Sequence, residues 1–395
     1  MSIGGWRPLG GLVAALLATA CGPRALPDPP PPISTPSLGA RHVATEVPDG
    51  EAWEAFLAEP GPAVRDVILS SPMGRHPEFR REVSRWVEYW RTTGARWFPG
   101  YLERMGWFAP MVDSTLERKG LPPSLRYLPL VESGYSPRAV SRASAVGLWQ
   151  FVEPTARGFG MWVGPLLDER RNPRKSTEAA GDFLLQLREQ FGSWFLALAA
   201  YNSGPYRVQR LLDRQAPLAP RSDSLYWALR GHLPRETRDY LPKFFAAALV
   251  AANPESHGLA PPGSAEPFVF DEVVVPDATT LDVVAEAAGA TQAEIERLNP
   301  EVVRGITPPG RATILRVPVG TGGSFQERYA LIPPGDRVTF VEHRVVRGET
   351  MSHIARRYRV PLTELRAANP RVDPRRLQIG QRLTVPVAPR KRSGP

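Results

Sequence analysis

A chain of 395 residues with 42% hydrophobic residues is long enough for two or three domains and too apolar to be wholly disordered. No apolar run approaches the roughly 20 residues of a membrane-spanning helix, and a single cysteine excludes any intrachain disulfide. The net charge of +9 rests on forty-five arginines and only four lysines (Lys119, Lys175, Lys243, Lys391), dispersed along the chain. Such a spread suits an acidic surface or polymer as partner and does not single out nucleic acid.

In chain order, Arg7 precedes the apolar run Leu9 to Leu17, which gives way to Ala18-Thr19-Ala20-Cys21. A charged start, a short apolar stretch and small residues before a cleavage point form a secretory signal, predicted over residues 1–20. The cysteine after the small residues resembles the bacterial lipoprotein box, although Ala18 stands where leucine is usual. The resemblance implies lipidation at Cys21 and a membrane partner through that anchor. Gly22 after the cysteine, rather than aspartate, implies the periplasmic face of the outer membrane. An ordinary signal peptide with an incidental cysteine is the alternative. The proline-rich residues 21–49 read as a tether.

Residues 50–115 carry helical patterning with many aromatics, among them Trp53, Phe56, Trp97 and Phe98. Trp86, Tyr89 and Trp90 fall at i, i+3, i+4 and form one stripe, expected to pack against the neighbouring domain rather than stack on a sugar. Residues 116–253 form a second helical block, closed by Asn253-Pro254 and Pro261-Pro262-Gly263. Within it, Leu121-Pro122-Pro123-Ser124 opens a helix predicted to run to Glu132-Ser133, with Gly134 as its C-terminal cap. That places Glu132 in the last turn, where the helix dipole and an apolar setting both raise a carboxyl's pKa. A carboxylic acid still protonated near neutrality is what a glycosidic leaving oxygen requires; a solvated glutamate at a fraying end is the bland alternative. Gly147-Leu148-Trp149-Gln150-Phe151 and Ala199-Ala200-Tyr201-Asn202-Ser203-Gly204 then supply aromatic faces and amides that suit an N-acetyl sugar. Glu153, Asp168 and Glu169 read as a cap and a loop cluster rather than as a second catalytic acid. The six histidines (His42, His76, His232, His257, His343, His353) show no paired ligand spacing, so no metal or other cofactor is expected. His343 and His353 read as surface residues.

The last third repeats itself. A displacement of 70 residues aligns Thr280 with Thr350, Val284 with Ile354, Asn299-Pro300 with Asn369-Pro370 and Gly310 with Gly380. Each copy reads strand, helix, helix, strand, with His343 to Val346 as the first strand of the second copy. The unit resembles the LysM module, a βααβ fold that binds N-acetylglucosamine-containing glycans. The resemblance implies a groove between Gly348-Glu349-Thr350-Met351 and the loop Asn369 to Ile379. In the first copy Asp277-Ala278-Thr279 replaces the opening glycine, so it reads as a degenerate module, with a spacer of the same fold as the alternative.

The order Glu132-Ser133, Gly-Leu-Trp-Gln, Ala-Tyr-Asn-Ser-Gly resembles the catalytic domain of the soluble lytic transglycosylases. Arg126 to Tyr135 and Leu233-Pro234-Arg235-Glu236-Thr237 resemble the membrane-bound lytic murein transglycosylase D branch. The resemblance implies an α+β multidomain chain: a mainly α-helical lysozyme-like catalytic domain followed by two small βααβ modules. The expected boundaries are 116–253 for the catalytic domain, 254–269 and 320–341 for linkers, 270–319 and 342–388 for the modules, and 389–395 for a basic tail. It implies Glu132 as the sole catalytic acid/base, with Ser133, Gly147, Gln150, Tyr201, Asn202 and Tyr240 binding substrate. It also implies peptidoglycan strands as partner, and cleavage between N-acetylmuramic acid and N-acetylglucosamine with formation of a 1,6-anhydro end. A lysozyme-type hydrolase on the same fold and a non-catalytic wall-binding scaffold are the competing readings.

Overall fold

The computed structural model describes residues 66–262, 267–358 and 360–386. The signal peptide, the Cys21 lipidation site, the tether, Trp53, Phe56 and the basic tail lie outside the described residues. The chain divides into two units: the described residues of 25–163 with 168–269 form one, and 164–167 with 270–395 the other.

The first unit is helical. Helix α1 (Pro77–Arg91) opens on a proline, where no intrahelical N–H bond is required, and buries Phe79, Val83, Trp86, Val87 and Trp90 along one stripe. Helices α2 (Phe98–Arg118), α3 (Leu128–Ser133), α4 (Glu153–Gly158), α5 (Pro173–Phe191), α6 (Trp194–Ser203), α7 (Pro205–Gln215), α8 (Asp223–Leu229) and α9 (Arg235–Ala252) follow. In α6 every residue from Phe195 to Ala200 is buried, as an all-apolar helix requires. Helix α9 packs along both α1 and α6, with Phe79 meeting the Phe245 ring edge-on at 5.0 Å.

The Trp86–Tyr89–Trp90 stripe packs against the helical block that follows it, in one core with Leu125, Leu128 and Phe244. Two other expectations change here. Helix α2 runs through the boundary drawn between residues 115 and 116. The helix expected from Leu121 onward is split into a 3-10 turn, Pro123–Tyr127, and the short α3. Pro129 has no N–H to continue a ladder back to Leu125, which accounts for the break.

The second unit holds β1 (Asp271–Val275), α10 (Leu281–Ala288), α11 (Gln292–Leu298), β2 (Thr313–Val317), α12 (Gly322–Leu331), β3 (Phe340–Arg344), α13 (Met351–Tyr358), α14 (Leu362–Ala367) and β4 (Arg382–Pro386). Strands β1 and β2 pair antiparallel with Val273 opposite Leu315, and β3 and β4 with His343 opposite Leu383. Each copy is therefore βααβ, and the whole is α+β as the sequence predicts.

One asparagine locks each copy in the same way. The Asn299 side chain donates to Ile295 O at 2.8 Å and Arg316 O at 2.7 Å and accepts from Arg316 N at 2.7 Å. Asn369 repeats this with Leu365 O, Thr384 O and Thr384 N at 2.8, 2.7 and 2.9 Å. The segment 320–341 is not a linker. It contains α12, whose Phe325 and Tyr329 are buried in the first copy's core, and the start of β3, which begins at Phe340 rather than His343.

Candidate active site

Glu132 ends α3, and Gly134 caps it in the left-handed conformation at φ 57°. The Gly134 N–H donates to Leu130 O at 3.2 Å and the Tyr135 N–H to Pro129 O at 3.0 Å. From α2, Arg104 Nε donates to Gly134 O at 2.8 Å. The Ser133 hydroxyl donates to Leu148 O at 2.8 Å, which ties α3 to the Gly147–Phe151 loop. The turn after Glu132 is thus held from both sides.

The Tyr240 hydroxyl, on α9, donates to Glu132 Oε1. Burial pushes the Glu132 carboxyl up to about 7, against the Tyr240 hydrogen bond and the Lys243 ammonium, which favour its charged form; Glu236 adds to the rise. Burial and the neighbouring Glu132 hold the Tyr201 and Tyr240 phenols well above the ordinary range, so both stay protonated donors. The raised carboxyl expected from the sequence is present. Its dominant cause is desolvation; with α3 only six residues long, the dipole argument loses force.

The other predicted residues take two kinds of place. Tyr240 bonds directly to Glu132, and the Tyr201 phenol lies near enough to interact with it electrostatically. Tyr201 also donates to Trp149 O at 2.7 Å, and the Asn202 carbonyl oxygen accepts from Thr237 at 2.8 Å, so α6 is fastened to both the loop and α9. Ser133, only 5% exposed, is spent on main-chain bonds rather than open to a ligand. Gly147, at φ 87°, presses on the chain: a Cβ there would lie 1.9 Å from Arg170 O. Gln150 adopts φ 52° and returns its amide to Gly147 O at 2.8 Å. Trp149 is buried, its indole N–H bonded to Thr177 at 2.9 Å, and offers no face to a sugar. The Gly147–Phe151 loop therefore serves as a brace for Glu132.

Glu153 opens α4 and pairs with Arg157 at 2.9 Å; Asp168 caps the next 3-10 turn and binds Arg170 at 2.8 Å; Glu169 binds Lys175 at 2.5 Å. None acts on Glu132. The residue that sequence reasoning missed is Lys243, buried on α9 one turn beyond Tyr240. Burial lowers its ammonium to about 8. The available signal was a rare lysine inside the apolar run Tyr240 to Val250.

In the second module, the predicted groove residues are partly internal. Met351 is buried in the module core and Asn369 is the lock described above. Glu349 accepts from Val346 N at 2.8 Å and from His343 Nε2 at 2.6 Å. His343 is accordingly buried, not a surface residue, because Tyr358 and Glu349 hold its ring from either side; His353 is exposed. Gly348 at φ 86°, Thr350 and Ile379, 71% exposed, remain on the surface. In the first module, Thr279 and Thr280 are wholly buried, bonded to Tyr329 of α12 at 2.7 Å and to Thr339 at 3.1 Å.

Three family models match the chain. Residues 111–222 match the Transglycosylase SLT domain family, residues 269–334 the family described as Lytic transglycosylase MltD, LysM-like domain, and residues 343–386 the LysM domain family. The chain is thus a peptidoglycan lytic transglycosylase of the SLT type that carries LysM-type modules. Within that class it is similar to membrane-bound lytic murein transglycosylase D of Escherichia coli strain K12. The two are 28% identical over 351 residues, spanning 86% of this chain and 73% of the relative. It is also 33% identical over 128 residues to membrane-bound lytic murein transglycosylase C of Glaesserella parasuis serovar 5, 28% of this chain and 35% of that one. Two solved structures align with 39% of the chain at a TM-score of 0.31, and the chain spans 25% of each. They are an inactive mutant of lytic transglycosylase Slt from Pseudomonas aeruginosa, 23% identical, and the 70 kDa soluble lytic transglycosylase of Escherichia coli, 25% identical. Tyr240 and Lys243 lie beyond the segment matched to the SLT family.

Proposed function

We propose that this chain cleaves the bond between N-acetylmuramic acid and N-acetylglucosamine in peptidoglycan and closes the muramoyl unit into a 1,6-anhydro ring, as part of cell-wall remodelling. The observation that carries this reading is the Glu132 carboxyl, raised to about 7 by burial and held by the Tyr240 hydroxyl. Protonated Glu132 gives its proton to the glycosidic oxygen as the C1–O bond breaks. The carboxylate then takes the proton of the muramoyl C6 hydroxyl, whose oxygen bonds to C1. The proton count closes on Glu132 and no water is consumed. Ring-tethered attack has a large effective-molarity advantage over water, so a second carboxylate is not needed.

Tyr201, Asn202 and Gln150 line the glycan cleft in this reading, and Ser133 and Gly147 act by holding Glu132 in place. The second LysM module takes the glycan through the surface around Gly348, Thr350 and Ile379. The first is a spacer, since the loop that would open its groove is buried under α12 and the following strand. A lipid at Cys21 anchors the enzyme to the outer membrane at its periplasmic face. Mass spectrometry of sugars released from purified sacculi tests the reaction. Anhydro-muramoyl ends are expected; reducing ends, heavier by one water, would make the chain a hydrolase.

A further inference from the structure

Lys243 is one of four lysines beside forty-five arginines, and it sits only 9% exposed in the core of the first unit. Its Nζ lies 5.6 Å from the Trp86 ring centroid and 5.9 Å from that of Trp90, both on α1. Among the described residues it has no ion-pair partner within 4.0 Å. Burying an ammonium without a hydrogen-bonded counter-ion is costly. The two indole faces favour a cation over an apolar side chain of the same length, but they supply no counter-charge.

The charges around it narrow the explanation. On α9, Asp239 is engaged by Arg85 of α1 at 3.1 Å and by Arg235 at 3.8 Å, and Glu236 is exposed to screening water. On α6, the Tyr201 phenol stays neutral. On the 3-10 turn before α3, Arg126 is engaged by Asp113 at 3.0 Å. The anion left for Lys243 is Glu132, which is bonded to Tyr240 one helical turn before Lys243 on α9 and is coupled to the ammonium electrostatically.

We propose that Lys243 is a positioning residue that acts through Glu132: its buried ammonium holds the carboxylate in the site once the proton has gone to the sugar, so that the same side chain takes a proton back. The inference rests on the acid/base reading of Glu132 given above.

Two measurements test it. The first is the pH profile of kcat/KM on sacculi for wild type, Lys243→Met, Lys243→Gln and Lys243→Arg, with thermal unfolding as the control for folding. A protonated Glu132 is the active form, so the alkaline limb reports its titration. Removing the cation disfavours the carboxylate and moves that limb up by about one pH unit in both neutral variants, while Lys243→Arg keeps it at the wild-type position. An unmoved limb in a folded neutral variant overturns the proposal. The second needs neither activity nor a Lys243 variant. In full-length protein labelled at lysine Cε, with four lysines to assign, Glu132→Gln lowers the Lys243 titration midpoint by about one pH unit, since the coupling is reciprocal. An unchanged midpoint overturns the proposal. Should Glu132→Gln instead retain full turnover, it is the acid/base reading that fails, whatever Lys243 does.

Discussion

At the scale of single residues, the site depends on a carboxyl kept out of water. A glutamate raised from 4.5 to about 7 by burial carries a thermodynamic signature. Between those values the folded protein holds a proton that the unfolded chain has released, so the contribution is full below pH 4.5 and is lost as pH rises through 7. Glu132→Gln has no such loss. The variant is therefore expected to be more stable than wild type by about 3 kcal/mol at pH 8, with the difference shrinking toward pH 5, as read from urea unfolding at both values. Glu132 was legible in the sequence because apolar neighbours, a terminal glycine and two glycan-suited motifs surround it. Lys243 was not, because its meaning depends on α9 running beside α3. Ser133 and Gly147 were expected as ligand contacts from the resemblance alone. A hydroxyl and a glycine in a motif do not reveal whether they serve the chain's own backbone or a sugar.

At the scale of elements, the turn after Glu132 is the most exacting piece. A Cβ at Gly134 would lie 2.6 Å from the Tyr101 ring, on a residue already in the left-handed region. Gly134→Ala is expected to cost about 2 kcal/mol from the backbone conformation and the clash together. Turnover should fall at temperatures where the protein is still folded; a thermal melt beside an activity assay checks both. The modules show what a repeat can and cannot tell. Their recurring Asn-Pro was legible as a shared feature, and the structure makes it a shared lock. Helix α12 was hidden because Gly322-Gly323 and the flanking Pro318 and Pro333 read as linker composition, while tertiary burial of Phe325 and Tyr329 keeps it helical. The copies also differ in charge. Residues 340–386 hold ten arginines against four acidic residues, whereas residues 269–334 hold five against nine. Arg347, Arg371, Arg375 and Arg376 are exposed on the loops beside Ile379. Retention on peptidoglycan, whose stem peptides carry carboxylates, is expected to weaken several-fold from low salt to 0.5 M, as measured by sacculus pull-down. Salt-independent retention would mean that these arginines do not contribute.

At the scale of the whole molecule, the catalytic and binding parts are separate units on one chain, and the proposed lipid at Cys21 adds a third attachment. Among the described residues no helix is long and apolar enough to cross a membrane. Cys21→Ser is expected to move the protein from the membrane to the soluble fraction after cell fractionation while leaving turnover on isolated sacculi unchanged. The order of the parts was legible because each carries its own motif, and the aromatic stripe of α1 pointed to packing on its neighbour; the α2 crossing was not legible, because local composition does not mark where one helical block runs into the next. The central claim is that one carboxyl serves as both acid and base, and turnover of isolated sacculi by Glu132→Gln beside wild type at pH 6 tests it most directly. A fall of at least roughly a thousandfold is expected for loss of the general acid/base. Release of muropeptides by the variant at the wild-type rate would contradict the account.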